Sequence, residues 1–200
     1  MTLYKDGNDY HVIESACHAI REVDGLICEL GINRGGGIEL LINTFNAFDQ
    51  KRIFVGIDPY GDIPYADIGG VRSVGYDNNV KSMFLKDIYN LCHETNTYFL
   101  FYNMTDVQFF KRFHDGVPIY KNCKETIVDD YALVIIDGPH TTEDARLEFD
   151  FFNKKIVSGG IIIFDDIEQY PHMESLDEYV RLQGFEHFQI TAYKAAYRKL

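Results

Sequence analysis

The chain has 200 residues, of which 46% are hydrophobic and 14% aromatic, enough apolar material to bury a core and to argue against disorder. A formal net charge of -12 argues against an extended nucleic-acid or anionic-membrane surface, either of which needs clustered Lys and Arg, and suits a small uncharged or cationic ligand. Cys17, Cys28, Cys92 and Cys123 are scattered with no Cys-x-x-Cys pair, so neither a zinc knuckle nor a dense disulfide framework is suggested, and reduced thiols in a cytoplasm are the simplest reading.

The opening stretch MTLYKDGNDYHVIES lacks the basic and apolar regions of a signal peptide, and no apolar run approaches a membrane span. The expectation is an unexported protein with one domain over residues 1–200. A first helix is predicted from about Asn8 to Glu22, with Val12, Ile13, Ala16, Ala19 and Ile20 on its apolar face. The strand LICEL follows, then glycines and a helix in which Ile38, Leu41, Ile42 and Phe45 keep helical spacing. RIFVGID is the next strand, succeeded by a long loop rich in Tyr, Gly and Asp that reads as a lid over a sugar or aromatic substrate, a long connection being the plainer reading. A helix with Val80, Met83, Phe84, Ile88 and Leu91 on one side leads to the strand TYFLFYN. The strands ALVIID and IIIFDD flank a helix that aligns Ala145, Phe149, Phe152 and Ile156 and is predicted to end at Gly159-Gly160. After a helix around Leu176 to Leu182, GFEHFQITAY and KAAYRKL read as a closing strand pair. Strands that are apolar throughout are covered on both faces, so the predicted fold is α/β: a doubly wound, mostly parallel sheet with an antiparallel edge.

In open α/β sheets, ligands lie beyond the carboxyl ends of the strands. The first strand runs into ELGINRGGG, where Gly31 and Gly35 allow a tight turn and close approach of backbone to a ligand; a turn requiring positive φ is the plainer reading. Asp58 ends the second strand about twenty residues beyond Gly37, a spacing at which an acid binds ribose hydroxyls, so the two features together suggest an adenosine-bearing cofactor. The glycine spacing departs from the dinucleotide pattern, which disfavours an NAD-dependent oxidoreductase. Glu29 at the strand end is ill suited to a pyrophosphate and well suited to an ammonium or sulfonium. S-adenosylmethionine carries both.

Two later strands end in acids: ALVIID at Asp137, and IIIFDD at Asp165 and Asp166. Adjacent carboxylates without a cation repel each other, so something positive is expected among the three. An oxygen-only donor set suits Mg²⁺ or a similar hard divalent ion rather than zinc. The plainer reading is that Asp165 and Asp166 face solvent or cap a loop, and that Asp137-Gly138 is only a turn before the capping spacing Thr141 to Asp144.

The motifs CELGINRGGG, GIDPY, IDGPHTTED and GGIIIFDD, spread over roughly residues 20 to 170, resemble class I S-adenosylmethionine-dependent methyltransferases, in particular the group of macrocin O-methyltransferase and its sugar-methylating relatives. The resemblance implies a seven-stranded Rossmann-like sheet with the last strand antiparallel. It implies that Glu29 and the turn Gly31 to Gly35 hold the methionine part of the cofactor, that Asp58 holds the ribose, and that Thr105 and Asp106 border the adenine. A Thr-Asp pair opening a helix also reads as a simple N-cap. The resemblance further implies metal ligation by Asp137, Asp165 and Asp166, with the base a few residues past the first of them, where this chain has His140. Relatives often show Asp-Gly-Asp-His where Pro139 stands here, and proline is neither ligand nor base. The expected activity is O-methylation of a small molecule or sugar unit, with Asp137 and His140 in the catalytic set. A metal-independent N- or C-methyltransferase and a non-catalytic S-adenosylmethionine-binding module are the alternatives.

Overall fold

The strands that read as unbroken apolar runs occupy the middle of one sheet. A computed structural model describes residues 7–67, 70–72, 75–138, 141–169 and 172–200. In chain order its elements are α1 (Tyr10–Ala19), β1 (Leu26–Leu30), α2 (Gly36–Ala47), β2 (Ile53–Ile57), β3 (Tyr65–Asp67), β4 (Gly70–Arg72), α3 (Asn78–Thr95), β5 (Tyr98–Tyr102) and α4 (Asp106–Arg112). They continue with β6 (Val117–Lys121), β7 (Lys124–Val128), β8 (Tyr131–Ile136), α5 (Thr142–Phe152), β9 (Ile156–Phe164), α6 (His172–Leu182), β10 (Phe185–Ile190) and β11 (Ala195–Lys199). Seven strands form the main sheet in the order β10-β11-β9-β8-β1-β2-β5, while β3–β4 and β6–β7 are separate two-stranded hairpins. The central strands pair in parallel. The reversed strand, β11, lies one place in from the edge and runs antiparallel to both β9 and β10. This is the predicted doubly wound α/β sheet.

Alternate residues of each apolar strand serve opposite cores. Ile27, Leu133, Ile135, Ile161 and Ile163 pack with α1, α2 and α3 on one face. Cys28, Leu30, Val134, Ile136, Ile162 and Phe164 pack with α4, α5 and α6 on the other. A strand buried on both faces has no polar position to spare, which is why the sequence shows no hydrophobic alternation there.

Local departures from the sequence reading have identifiable causes. The first helix ends at Ala19, though Ile20 after it is still fully buried. Ile156, expected on the helix after Asp137, instead opens β9, where it pairs with Tyr131. Gly159 and Gly160 therefore fall inside that strand. The register of β8 against β9 shifts between Tyr131 and Leu133, and Gly159 takes a φ of 80°, so these glycines mark a bulge rather than a helix exit. On α3 the buried stripe is Phe84, Ile88 and Cys92, each four residues from the next. Met83 is 67% exposed, because it lies about 100° around the helix from Phe84. The hairpin β6–β7 has no counterpart in the sequence reading. Its turn carries Cys123, the exposed member of four free cysteines; Cys17, Cys28 and Cys92 are buried. Among the described residues no helix is long and apolar enough to cross a membrane.

Candidate active site

Strand register assembles the site. Leu30 stands opposite Ile57 on one side and Ile136 on the other, and Ile136 stands opposite Phe164. The residues that follow these four are Gly31, Asp58, Asp137 and Asp165, so the ladder delivers them side by side. Backbone hydrogen bonds continue one step past the strands: Gly31 N–H donates to the Ile57 carbonyl at 3.0 Å, Asp137 N–H to Leu30 at 3.0 Å and Asp165 N–H to Ile136 at 3.0 Å. A cavity of about 340 Å³ opens along this edge, the size of a small-ligand site, with Glu29, Asp58, Asp106, Asp137, Asp165 and Asp166 among its walls. Every acid singled out in the sequence is therefore in one space.

At the β1 end the backbone is shaped around the acids. Gly31 has a φ of 78°, and a Cβ there would overlap the Asp137 carbonyl oxygen, so only glycine permits the turn to pass over β8. Gly35 has a φ of 84° at the N-cap of α2. Glu29 is buried with its Oε1 where a Cβ of Gly37 would stand, which sets the carboxylate at the positive amino end of α2. Asp58 accepts at Oδ2 from the N–H groups of Ile32 at 2.9 Å and Asn33 at 3.1 Å, and at Oδ1 from Tyr60 N–H at 3.0 Å. It thus clasps the glycine turn to β2. Burial pushes its pKa up and the three N–H groups pull it back. Of the roughly four acceptor positions of a carboxylate, one at Oδ1 remains for a ligand hydroxyl.

The loop after Asp58 forms a further wall. Tyr60 is buried against Phe84 and Phe101, and its hydroxyl donates to the Asn33 carbonyl. Gly61 and Asp62 donate N–H to the Tyr76 carbonyl at 2.8 and 3.2 Å, closing the loop on itself beside the cavity. Asn33, Tyr60, Asp62 and Asp166 all have left-handed backbone, with φ of 49°, 43°, 56° and 53°.

At the β5 end, Thr105 is a true capping box: its hydroxyl accepts from Gln108 N–H at 3.2 Å, and Gln108 Oε1 accepts from Thr105 N–H at 3.1 Å. Its side chain is occupied by that structural role. Asp106, the next residue, has a buried Oδ2 with no hydrogen-bond donor among the described residues, and neither oxygen of Glu148 has one. Glu148 rises from α5 with no exposed surface, and its Oε1 lies where a Cβ of Gly138 would be. Burial, then Asp106 and Asp144, push its pKa well up. Glu148 is not among the residues that the sequence pattern singles out. Its only signal there is an acid directly beside Phe149, on the edge of the apolar stripe of α5.

The pKa of Asp137 is pushed well up, first by loss of solvent around its carboxyl, then by Asp165 and Asp166; Lys194 opposes them. Asp165 Oδ1 accepts from Asp166 N–H at 2.8 Å, and Oδ2 accepts from the ammonium of Lys194. The positive group expected among these acids thus has a partial answer inside the chain. The donor set fits a hard divalent ion: it is oxygen only, and three carboxylates share one ammonium. Among the described residues, however, no three His, Cys, Asp or Glu side chains stand close enough together to hold an ion as they are placed. His140 and Pro139 lie outside the described residues. Thr141 caps α5, its hydroxyl accepting from Asp144 N–H at 3.1 Å.

A family model described as a methyltransferase domain matches residues 28–167, from within β1 to just past Asp166. The chain is 24% identical over 161 residues to uncharacterized protein R132 of Acanthamoeba polyphaga mimivirus, an alignment covering 80% of this chain and 60% of that protein. The chain thus spans less than two thirds of that relative's length. Among solved structures, the O-methyltransferase NovP superposes with a TM-score of 0.64 at 22% identity, covering 94% of this chain and 78% of the other. CalS11, a calicheamicin methyltransferase, superposes with a TM-score of 0.59 at 14% identity over 95% and 78% of the two chains. These superpositions carry the fold. The family match runs from the strand that presents Glu29 to the acids at the end of β9, and the protein belongs to the methyltransferase-domain family, on the class I methyltransferase fold.

Proposed function

We propose that this protein transfers the methyl group of S-adenosylmethionine to a hydroxyl oxygen of a small molecule or sugar unit, with Mg²⁺ or a similar divalent ion at Asp137, Asp165 and Asp166. The observation that carries this reading is the single cavity joining a backbone-built cradle at β1 and β2 to a cluster of acids at β8 and β9. The cofactor supplies an electrophilic methyl on a sulfonium, and a divalent ion supplies a positive charge that lowers the pKa of a hydroxyl and fixes its position. Glu29 offers its carboxylate to the ammonium and sulfonium end, with the Gly31 to Gly35 turn beneath. Asp58 keeps one acceptor position for a ribose hydroxyl. Asp106 and Glu148, short of donors, suit the exocyclic amine of adenine. His140, three residues past Asp137, takes the proton of the acceptor hydroxyl, its ordinary pKa lying near neutrality.

A sugar or small-molecule acceptor is supported by the TDP-rhamnose 3'-O-methyltransferase activity named for CalS11 and by the cavity's size. The free cysteines suit a reducing cytoplasm, and the elements from α1 to β11 around one main sheet suit a single methyltransferase domain over residues 1–200. A metal-independent transfer is the second reading, favoured by the Lys194 ammonium already on Asp165.

Calorimetry with S-adenosylhomocysteine tests the cofactor, and methyl transfer to a panel of hydroxylated acceptors in EDTA and in Mg²⁺ tests the rest. Micromolar binding and activity restored by Mg²⁺ are expected, with His140→Ala lowering turnover by roughly 10² to 10⁴. No binding at millimolar concentration ends the methyltransferase reading. Full activity in EDTA selects the metal-independent one.

A further inference from the structure

We propose that Lys194 is a tethered cation that competes with a divalent ion for Asp165 and thereby sets how tightly this chain holds its metal. The inference rests on the proposed metal at the three acids and concerns a residue outside the family match. Lys194 begins the return from the β10–β11 turn. That turn is fixed from both sides: Thr191 N–H donates to the Lys194 carbonyl at 2.9 Å, and Lys194 N–H donates to the Thr191 hydroxyl at 3.0 Å. Ile167 N–H, just past the acids, donates to the Tyr193 carbonyl at 3.1 Å, which docks the turn on the loop that carries Asp165 and Asp166. The placement of the lysine is therefore built into the backbone.

The side chain of Lys194 is 1% exposed and that of Asp165 is 9% exposed, so the ammonium has exchanged nearly all of its water for one carboxylate. An isolated buried ammonium is costly, and a carboxylate partner is what makes it tolerable. Its charge also reaches Asp137, where it opposes the repulsion from Asp165 and Asp166. A divalent ion entering among these carboxylates meets a like charge within a few ångströms in a place of low dielectric, where repulsion is strong. A free monovalent counterion would simply leave. Lys194 cannot, because its turn is clamped; its ammonium has to withdraw from Asp165 while its backbone stays put. The ring of Tyr10, with its centroid 5.7 Å from Nζ, offers a face on which the ammonium can rest. Affinity for the ion is then the balance between coordination and this displacement.

The test is titration of the 200-residue chain with Mn²⁺ and with Mg²⁺, without cofactor or acceptor, for the wild type, Lys194→Gln and Lys194→Arg, by calorimetry and thermal melting. Lys194→Gln is expected to bind either ion at least tenfold more tightly than the wild type, a gain in keeping with loss of one nearby like charge. Its melting temperature should rise with added ion far more than that of the wild type. Lys194→Arg, which keeps the charge, should stay within about threefold of the wild type. If Lys194→Gln folds only when Mn²⁺ is present, a divalent ion is replacing the tethered one and the proposal stands; if it remains unfolded even then, the proposal fails. Equal affinity of wild type and Lys194→Gln overturns the inference and leaves the metal reading intact. No binding to either protein at tens of millimolar removes both.

Discussion

Asp58 and Asp137 stand at the ends of β2 and β8, on either side of β1, and differ in what surrounds their carboxylates. Asp58 is gripped by three backbone N–H groups from the glycine turn and its own loop. Asp137 faces two further carboxylates, with one ammonium between it and their combined repulsion. The first acid is part of the scaffold. The second is a carboxyl whose charged form is disfavoured until something positive arrives. One edge of one sheet thus contains a finished cradle and an unfinished one, and the difference lies in backbone donors rather than in residue type.

The most direct way to break the comparison is to spoil the crossing that keeps the two halves together. Gly31→Ala places a methyl on the Asp137 carbonyl at a φ that alanine resists, and a loss of roughly 3 to 5 kcal/mol in stability is expected, read by chemical denaturation. An unchanged midpoint would mean that β1 and β8 part more easily than their register implies.

One substitution made at both ends sharpens the contrast further. Asp58→Asn turns an NH₂ toward backbone N–H donors, and it should cost about 1.5 to 3 kcal/mol of stability and weaken S-adenosylhomocysteine binding by a comparable amount. Asp137→Asn removes one of three crowded carboxyls; it should raise thermal stability in metal-free buffer, by up to about 1 kcal/mol, while abolishing methyl transfer. Opposite signs in the melts support a finished and an unfinished cradle, and equal signs erase the distinction.

The last effect, absent in acid and growing only as pH rises, concerns Glu148. Its pKa is raised in the folded state, so between its ordinary value of 4.5 and the higher folded value the native protein holds a proton that the unfolded chain has released. Stability then falls as pH rises through that window, by at most about 1.4 kcal/mol per pH unit from this group. Glu148→Gln should flatten that slope, so that the variant gains on the wild type as pH rises above the ordinary carboxyl value of 4.5. Parallel stability curves would indicate that the carboxyl is solvated in solution.

Much of the sheet and of its acidic edge is legible in the sequence. Apolar runs ending in acids locate the carboxyl edge, because a strand buried on both faces spends its polar residues where it emerges. The glycine turn is legible for the same kind of reason: a backbone that must cross β8 cannot carry a side chain at Gly31. Lys194 is not legible, since its partner is 29 residues away and they meet only because β11 inserts between β9 and β10. Asp58 reads as a ligand-binding acid from its spacing, but its hold on the β1 turn depends on three N–H directions that no residue pattern encodes. Glu148 carries no local mark either, because an acid beside the apolar stripe of a helix ordinarily faces water.

The β6–β7 hairpin has a practical use. Burial pushes the thiols of Cys17 and Cys92 up to about 12 and about 11, and that of Cys28 well above its ordinary value, which leaves each of them with scarcely any thiolate near neutrality. Cys123 is exposed at the tip of β6–β7, in the hairpin that leads into the amino end of β8, whereas the cavity lies at the carboxyl end of that strand. A maleimide dye or spin label added to the native protein near neutral pH will therefore mark one position, remote from the acids, with no cysteine having first to be removed.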